Sequence, residues 1–334
     1  MLTSNPYVIV LSLDFSKAFD TVRHSTLMKK LAQLDLPDTV YNWLTEFFSG
    51  HTHCTTYQGQ TSSFESISAS IIQGSGIGPA TYTVNAADLN PVTHGNQMIK
   101  FADDTYIVIP AVNVSSRQAE LSNVETWARA NNLKVNPAKY SEVVFFDKRR
   151  KTPVHPPLTI PGIERTTTVK ILGVTITNSL SVSEHIRTVI SSCAQTMYAM
   201  KVLRAHGMDY AALQTIYQSV AIAKLQYSSS AWWGFTTASD RQRLEAFIRR
   251  SARCNFVPAD LGSFEELCRT TDERLFDSIA GNKHHVLHHL LPPKSDASQC
   301  YNLRPRTHNF KLPERSTRLT DCSYIERMLF KDIY

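Results

Sequence analysis

Two adjacent carboxylates, Asp103 and Asp104, lie in the stretch Phe101-Ala102-Asp103-Asp104 between two runs, Gln97 to Lys100 and Thr105 to Pro110. The second run contains Tyr106-Ile107-Val108-Ile109, β-branched and aromatic types that favour strands. The pattern predicts a tight hairpin with the acidic pair at its tip. Neighbouring carboxylates repel each other, and a cation relieves that cost. Taken alone, an Asp-Asp pair reads most simply as a surface turn. A third carboxylate, Asp14, ends the run Val8-Ile9-Val10-Leu11-Ser12-Leu13, whose nearly continuous apolar character predicts a strand buried on both faces. A carboxylate there is costly without a partner. It either caps the helix that follows or joins Asp103 and Asp104 on one sheet. Three clustered carboxylates supply the oxygen ligands that hard divalent ions need, two Mg²⁺ or Mn²⁺ in their place. Two such ions about 3.5–4 Å apart stabilise both oxygens of an in-line phosphoryl displacement.

Other stretches extend this pattern. Gln73-Gly74-Ser75-Gly76-Ile77-Gly78-Pro79 holds three glycines in seven residues. Its plain reading is a flexible loop with a proline in the first turn of the next helix; glycines also let backbone approach a ligand closely. With Leu13 to Asp20, Phe101 to Asp104, Asn132 to Lys139 and Lys170 to Val174, it forms a series whose order and spacing resemble reverse transcriptases, above all those of non-LTR (LINE-type) retrotransposons. The resemblance runs from about residue 8 to 176. It departs from the family at Ile72, where a proline is usual, and at Ala87, where an asparagine is common.

The resemblance implies an α+β fold: a polymerase palm, an antiparallel sheet covered by helices, with partial fingers over residues 1–176 and a helical thumb over 177–257. It implies RNA-directed DNA synthesis, with an RNA template, a DNA primer and deoxynucleoside triphosphates as partners. Asp14 and Asp103 would ligate both metal ions, Asp104 would contribute more weakly, and the Phe15 carbonyl would add an oxygen ligand. Phe19, otherwise a core phenylalanine, would pack under the sugar and exclude a 2′-hydroxyl. Gln73 and Gly74 would touch the nucleotide, Lys139 would sit near the triphosphate, and Leu172 and Gly173 would hold the primer end. Two other readings stay open. One is an RNA-directed RNA polymerase, against which Phe19 and Ala102 argue; the other is a degenerate remnant that only binds nucleic acid.

The 334 residues are 42% hydrophobic, enough for one large or two ordinary domains. Lys+Arg number 35 and Asp+Glu 29, a net charge of +6 that permits a polyanion partner without demanding one. Residues 201–334 hold 19 Lys+Arg and 14 Asp+Glu, so +5 of the +6 is C-terminal, away from the acidic motifs. Polymerases need this division: carboxylates for metal, cations for nucleic-acid backbone. The six cysteines, Cys54, Cys193, Cys254, Cys268, Cys300 and Cys322, form no C-x-x-C pair and suit a reducing compartment, hence an intracellular site in nucleus and cytoplasm. No 18-residue apolar run predicts a membrane span.

Apolar spacing predicts helices over 26–36, 39–48, 80–89, 116–131, 183–204, 210–226, 239–256 and 272–291. A hairpin is expected around Gly59. Arg241, Arg243, Arg249, Arg250 and Arg253 cluster on the 239–256 helix, as a solvated face or as contacts to nucleic-acid backbone; Arg249, Arg250 and Arg253 are the backbone candidates. His284, His285, His288 and His289 fall in the 272–291 segment and read as structural or surface residues. Asp147 to Lys151 forms a basic knot, and the prolines from Pro153 mark an irregular connection. Residues 258–334 read as a basic extension, an arm along nucleic acid or a partly disordered tail. The resemblance further suggests a piece of a retrotransposon polyprotein whose upstream fingers segment, with its triphosphate-binding cations, is missing.

Overall fold

The computed structural model describes residues 1–149, 154–258, 260–295, 308–314 and 317–331. The chain divides into two compact units, residues 1–167 and 168–334.

In the first unit, β1 (Tyr7–Leu13), β2 (Phe15–Ser16), α1 (Ala18–Thr21), α2 (His24–Leu31) and α3 (Asp38–Phe48) come first. The hairpin at Gly59 follows as nested two-residue strands: β3 (Thr52–His53) pairs with β6 (Glu65–Ser66), and β4 (Thr56–Tyr57) with β5 (Gln60–Thr61). Then come α4 (Gly78–Ala86), β7 (Gln97–Phe101), β8 (Asp104–Pro110), α5 (Arg117–Ala130), β9 (Lys134–Val135), β10 (Ser141–Phe146) and β11 (Glu164–Thr166). The main sheet has the order β11-β10-β1-β8-β7. β1 is central and antiparallel to both neighbours, with Leu11 opposite Ile107 on β8 and Glu142 on β10. Tyr7, Ile9, Leu11 and Leu13 alternate onto one face and join Leu27 of α2, Tyr82 of α4 and Val124 of α5 in one core. Val8 and Val10, on the other face, are buried as well. The continuous apolar run thus reports a central strand with both faces covered.

Buried charge holds this scaffold together. Glu142, 1% exposed, receives Arg117 Nη1 at 2.7 Å and Arg165 Nε at 2.8 Å, which binds the start of α5 and β11 to the sheet. Glu120 accepts the backbone N–H groups of Val92 and Thr93 and the Asn96 amide. Lys30 and Lys100 donate to carbonyls at the C-terminus of α4, Lys30 to Asn85 and Lys100 to Ala86 and Leu89. Cations there complement the helix dipole and anchor the helix that carries Tyr82.

The second unit opens with the hairpin β12 (Thr168–Ile171) and β13 (Val174–Thr177). This hairpin, grouped with the palm in the sequence reading, clusters with the helices that follow it. Those are α6 (Ser183–Ala205), α7 (Tyr210–Ile216), α8 (Ala223–Gln226), α9 (Ser229–Trp232), α10 (Ala238–Ala252), α11 (Phe264–Gly281), α12 (Arg318–Cys322) and α13 (Tyr324–Leu329). The segment read as one helix over 210–226 contains a π-turn at Tyr217–Ile222, and Tyr217, Ala221 and Ile222 are all buried. Phe264 and Cys268 lie in the same core as Ile186 and Phe247, so the start of α11, beyond Pro258, packs into this unit. The helix expected over 272–291 instead starts at Phe264, because Ser263 and Glu266 form a capping box, and stops at Gly281. His284 and His285 follow it in a turn, and His288 and His289 belong to a short 3₁₀ turn, so no helical histidine pair forms. Arg304, Arg306 and Arg315 of the basic extension, Cys300, and Arg150 and Lys151 of the basic knot lie outside the described residues. No helix among the described residues is long and apolar enough to cross a membrane.

The N-terminus of α10 generates a test. Thr237 and Asp240 form a capping box, and the Ser183 hydroxyl donates to Asp240 Oδ2 at 2.7 Å. Burial pushes the Asp240 carboxyl up, but hydrogen bonds from Ser183 and Thr237 and the charge of Arg243 outweigh it and hold the pKa below the usual value. A depressed carboxylate stabilises the fold above its unfolded pKa of about 3.9 and loses that contribution as pH falls through the folded value. Asp240→Asn should cost about 1–2 kcal/mol at neutral pH. Denaturation midpoints of variant and parent should converge as pH drops below about 4. A gap constant across that range would remove the charge from the explanation.

Candidate active site

Asp14 follows the last residue of β1, and Asp103 sits in the two-residue turn between β7 and β8. Ala102, the other turn residue, has φ 51°, a left-handed conformation that costs a non-glycine residue roughly 1–2 kcal/mol. Asp104 opens β8 opposite Phe101. The β1–β8 register pairs Leu13 with Thr105 and, carried one step further, sets Asp14 opposite Asp104. The three acidic residues therefore stand at one end of the central strand pair. Burial, then the charge of Asp103, then that of Asp14 raise the Asp104 carboxyl above the usual range.

The short ladder between β2 and β9 brings a cation to this end. Phe15 pairs with Val135, and the Asn136 N–H donates to the Asp14 carbonyl at 2.9 Å. That turn sets Lys139 Nζ 3.2 Å from Asp14 Oδ2, which also accepts the Asn136 amide at 3.2 Å. The Phe15 ring is buried against the edge of Trp127.

The glycine-rich loop and α4 form the next part of the site. Gly74 has φ 85° and open space where a Cβ would stand, so backbone conformation, not crowding, requires the glycine. Gln73 is exposed and donates to Asp20 Oδ1 at 3.2 Å. Phe19 is half-buried and stacks on Tyr82 with ring centroids 4.5 Å apart and planes 24° apart. Burial and the charge of Asp103 push the Tyr82 phenol up. Tyr82 thus stacks on the Phe19 ring and is within the electrostatic reach of Asp103 in the acidic turn. Sequence reading assigned it nothing, since no local signal shows which ring a helical tyrosine meets.

The donor chemistry fits a hard divalent cation: three carboxylates, like charge raising one of them, and a single lysine as counter-charge. Yet among the described residues no group of three His, Cys, Asp or Glu side chains converges closely enough to hold an ion. Asp14 Oδ2 is engaged by Lys139 and Asn136.

In the second unit, Leu172 and Gly173 form the turn between β12 and β13, with φ 46° and 90°. Two consecutive positive φ values define the primed turn that matches strand twist, and a leucine there is strained. Tyr227 holds it, its hydroxyl donating to the Leu172 carbonyl at 3.0 Å. Arg249 and Arg250 on α10 and Arg253 just after it are exposed, whereas Arg241 leaves that group to lie 4.6 Å from the Trp233 ring centroid and 3.6 Å from Glu265.

The profile of the reverse transcriptase (RNA-dependent DNA polymerase) family matches residues 2–176, and the chain belongs to that family. It is similar to the RNA-directed DNA polymerase from mobile element jockey of Drosophila melanogaster, 27% identical over 267 residues, 75% of this chain and 29% of that protein. It is equally similar to the probable RNA-directed DNA polymerase from transposon X-element of the same fly, 27% identical over 303 residues, 86% of this chain and 32% of that protein. The chain thus spans about a third of the length of these relatives. Among solved structures, the telomerase of Candida albicans aligns with 78% of this chain and 49% of its own at 12% identity and a TM-score of 0.42.

Lys139 and Asp14 are 65% and 29% exposed, so their ion pair is worth at most about 1 kcal/mol. Lys139→Met should therefore shift the denaturation midpoint little. A loss well above that would make the lysine a structural residue.

Proposed function

We propose that the chain is the polymerase core of a non-LTR retrotransposon reverse transcriptase, extending a DNA primer on an RNA template with deoxynucleoside triphosphates. The observation that carries this reading is the placement of Asp14, Asp103 and Asp104 at one end of the β1–β8 pair, in a chain of the reverse transcriptase family.

Reverse transcriptases use divalent ions. In this chain Asp14 and Asp103 would hold two Mg²⁺ ions, with Asp104 and the Phe15 carbonyl as weaker ligands. When bound, such ions neutralise phosphate charge and ease loss of the primer 3′-hydroxyl proton. The remaining roles fall to side chains and backbone. The Phe19 ring, held by its stack on Tyr82, would lie under the sugar and exclude a 2′-hydroxyl. Gly74, with no side chain and an open approach, admits the nucleotide to the backbone, and Gln73 borders it. The Lys139 ammonium, beside Asp14, turns to the triphosphate and can return a proton to the leaving pyrophosphate. The strained turn at Leu172 and Gly173 supports the primer end. Arg249, Arg250 and Arg253 neutralise nucleic-acid phosphates.

Primer extension on an RNA template tests the reading. Asp103→Asn should abolish Mg²⁺-dependent extension and leave the fold intact, since losing one of three repelling carboxylates relieves strain. Asp104→Asn should reduce it less. Phe19→Ala should admit ribonucleotides alongside deoxynucleotides. Near-parental extension by a folded Asp103→Asn variant would remove the proposed site.

A further inference from the structure

The turn between β12 and β13 adopts a shape that its own residues do not favour. Leu172 and Gly173 both have positive φ, 46° and 90°. A two-residue turn of this kind prefers Asn-Gly, and a leucine in the left-handed region is strained. Leu172 is exposed, so burial does not offset the strain. The support comes from 55 residues further along the chain, where the Tyr227 hydroxyl donates to the Leu172 carbonyl at 3.0 Å. The same ring passes beside the second turn residue: a Cβ added to Gly173 would stand 3.4 Å from Tyr227 Cε1. Tyr227 is tied down in turn. Its carbonyl accepts the indole N–H of Trp232 at 3.0 Å, and Trp232 lies in the core that also holds Val174 of β13. Yet the Tyr227 side chain gains little from burial, since the residue is 53% exposed. Packing alone therefore does not account for where it stands.

We propose that Tyr227 is a positioning residue for the primer end, acting through the carbonyl of Leu172. That carbonyl belongs to the central peptide of the turn, and a flip of this peptide is what separates one turn type from another. A hydroxyl that donates to it fixes which way the peptide faces. The turn then offers one arrangement of backbone groups instead of several. Without the donor, Leu172 is free to relax to negative φ, and the turn that results no longer matches the twist of its strands. The chain of contacts from Trp232 through Tyr227 to Leu172 thus holds the turn to the core of the second unit. In this role the tyrosine touches neither substrate nor metal. The proposal rests on the reading of Leu172 and Gly173 as the support of the primer end.

The test uses the full chain and Tyr227→Phe, which keeps the ring and loses only the donor. Amide hydrogen exchange in the β12–β13 hairpin should quicken by about two- to tenfold, the effect of one lost hydrogen bond on local opening. In primer extension on an RNA template, kcat should fall roughly tenfold through misplacement of the primer end, with the nucleotide KM unchanged. The denaturation midpoint should stay at the parental value, because the exposed turn can turn its carbonyl to water. The Leu172→Asn background supplies the pair that favours the primed turn by itself. There Tyr227→Phe should change kcat by no more than about twofold. Equal losses in the two backgrounds, or parental exchange and kcat in Tyr227→Phe, would overturn the proposal. So would loss of kcat in Tyr227→Leu but not in Tyr227→Phe, which would assign the role to the ring. Exchange reads the brace without polymerisation. A parent chain that extends no primer therefore removes the primer reading, and this role with it, whereas an extending parent with an unaffected Tyr227→Phe variant removes the role alone.

Discussion

The pairing of β1 between β8 and β10 is the constraint on which the first unit depends. Ile9 and Leu11 are fully buried in the core formed with α2, α4 and α5, while Val8 and Val10 are buried on the opposite face. Side chains alternate along a strand, so a slip of one residue would exchange the two faces along its length. The same register sets Asp14 opposite Asp104, with Asp103 next to it in the turn. Hydrophobic burial thus selects the alignment, and the alignment assembles the acidic cluster. Stability and chemistry rest on one ladder.

The carboxylates of this unit fall into two kinds, and the contrast separates scaffold from site. Glu142 and Glu120 are buried and fully engaged, the first by two guanidinium groups, the second by backbone and amide donors. Removing a partner from such a group leaves an uncompensated buried charge. Asp14 has Lys139 and Asn136 beside it, while burial and the charges of Asp103 and Asp14 raise the proton affinity of Asp104. Strain accompanies them: Ala102 turns the hairpin with a positive φ, and in the second unit Leu172 does the same. Both residues are exposed, so core packing does not force the conformation on them. Unsatisfied charge and unrelieved strain mark the places where a folded chain waits for a ligand.

Much of this was legible in the residues because it is local. Strand propensity and the Asp-Asp pair located the hairpin of β7 and β8, the apolar run located a central strand, and helical spacing located α3, α5, α6 and α10 within a few residues. The acidic site could be named because its members end strands whose character is written in their own side chains. The helix drawn over 272–291 failed because apolar spacing says nothing of the cap, and the Ser263–Glu266 box starts that helix eight residues earlier. A single helix over 210–226 failed for a related reason: burying Tyr217, Ala221 and Ile222 together takes a π-turn, which only packing can demand.

The sequence by itself determined the family, through the resemblance carried by its ordered motifs, and singled out the three carboxylates as candidates, through the residue types around them. Only the tertiary structure decided which distant residues meet. The stacking of Phe19 on Tyr82, the approach of Lys139 to Asp14 through the β2–β9 ladder, and the lining of one cavity by Arg187 of α6 and the α10 arginines all cross long stretches of chain. Arg241, two residues before Arg243, lies with Trp233 instead, because neighbours on a helix point in different directions. Propensity acts between neighbours in the chain, whereas such contacts depend on how separate elements pack.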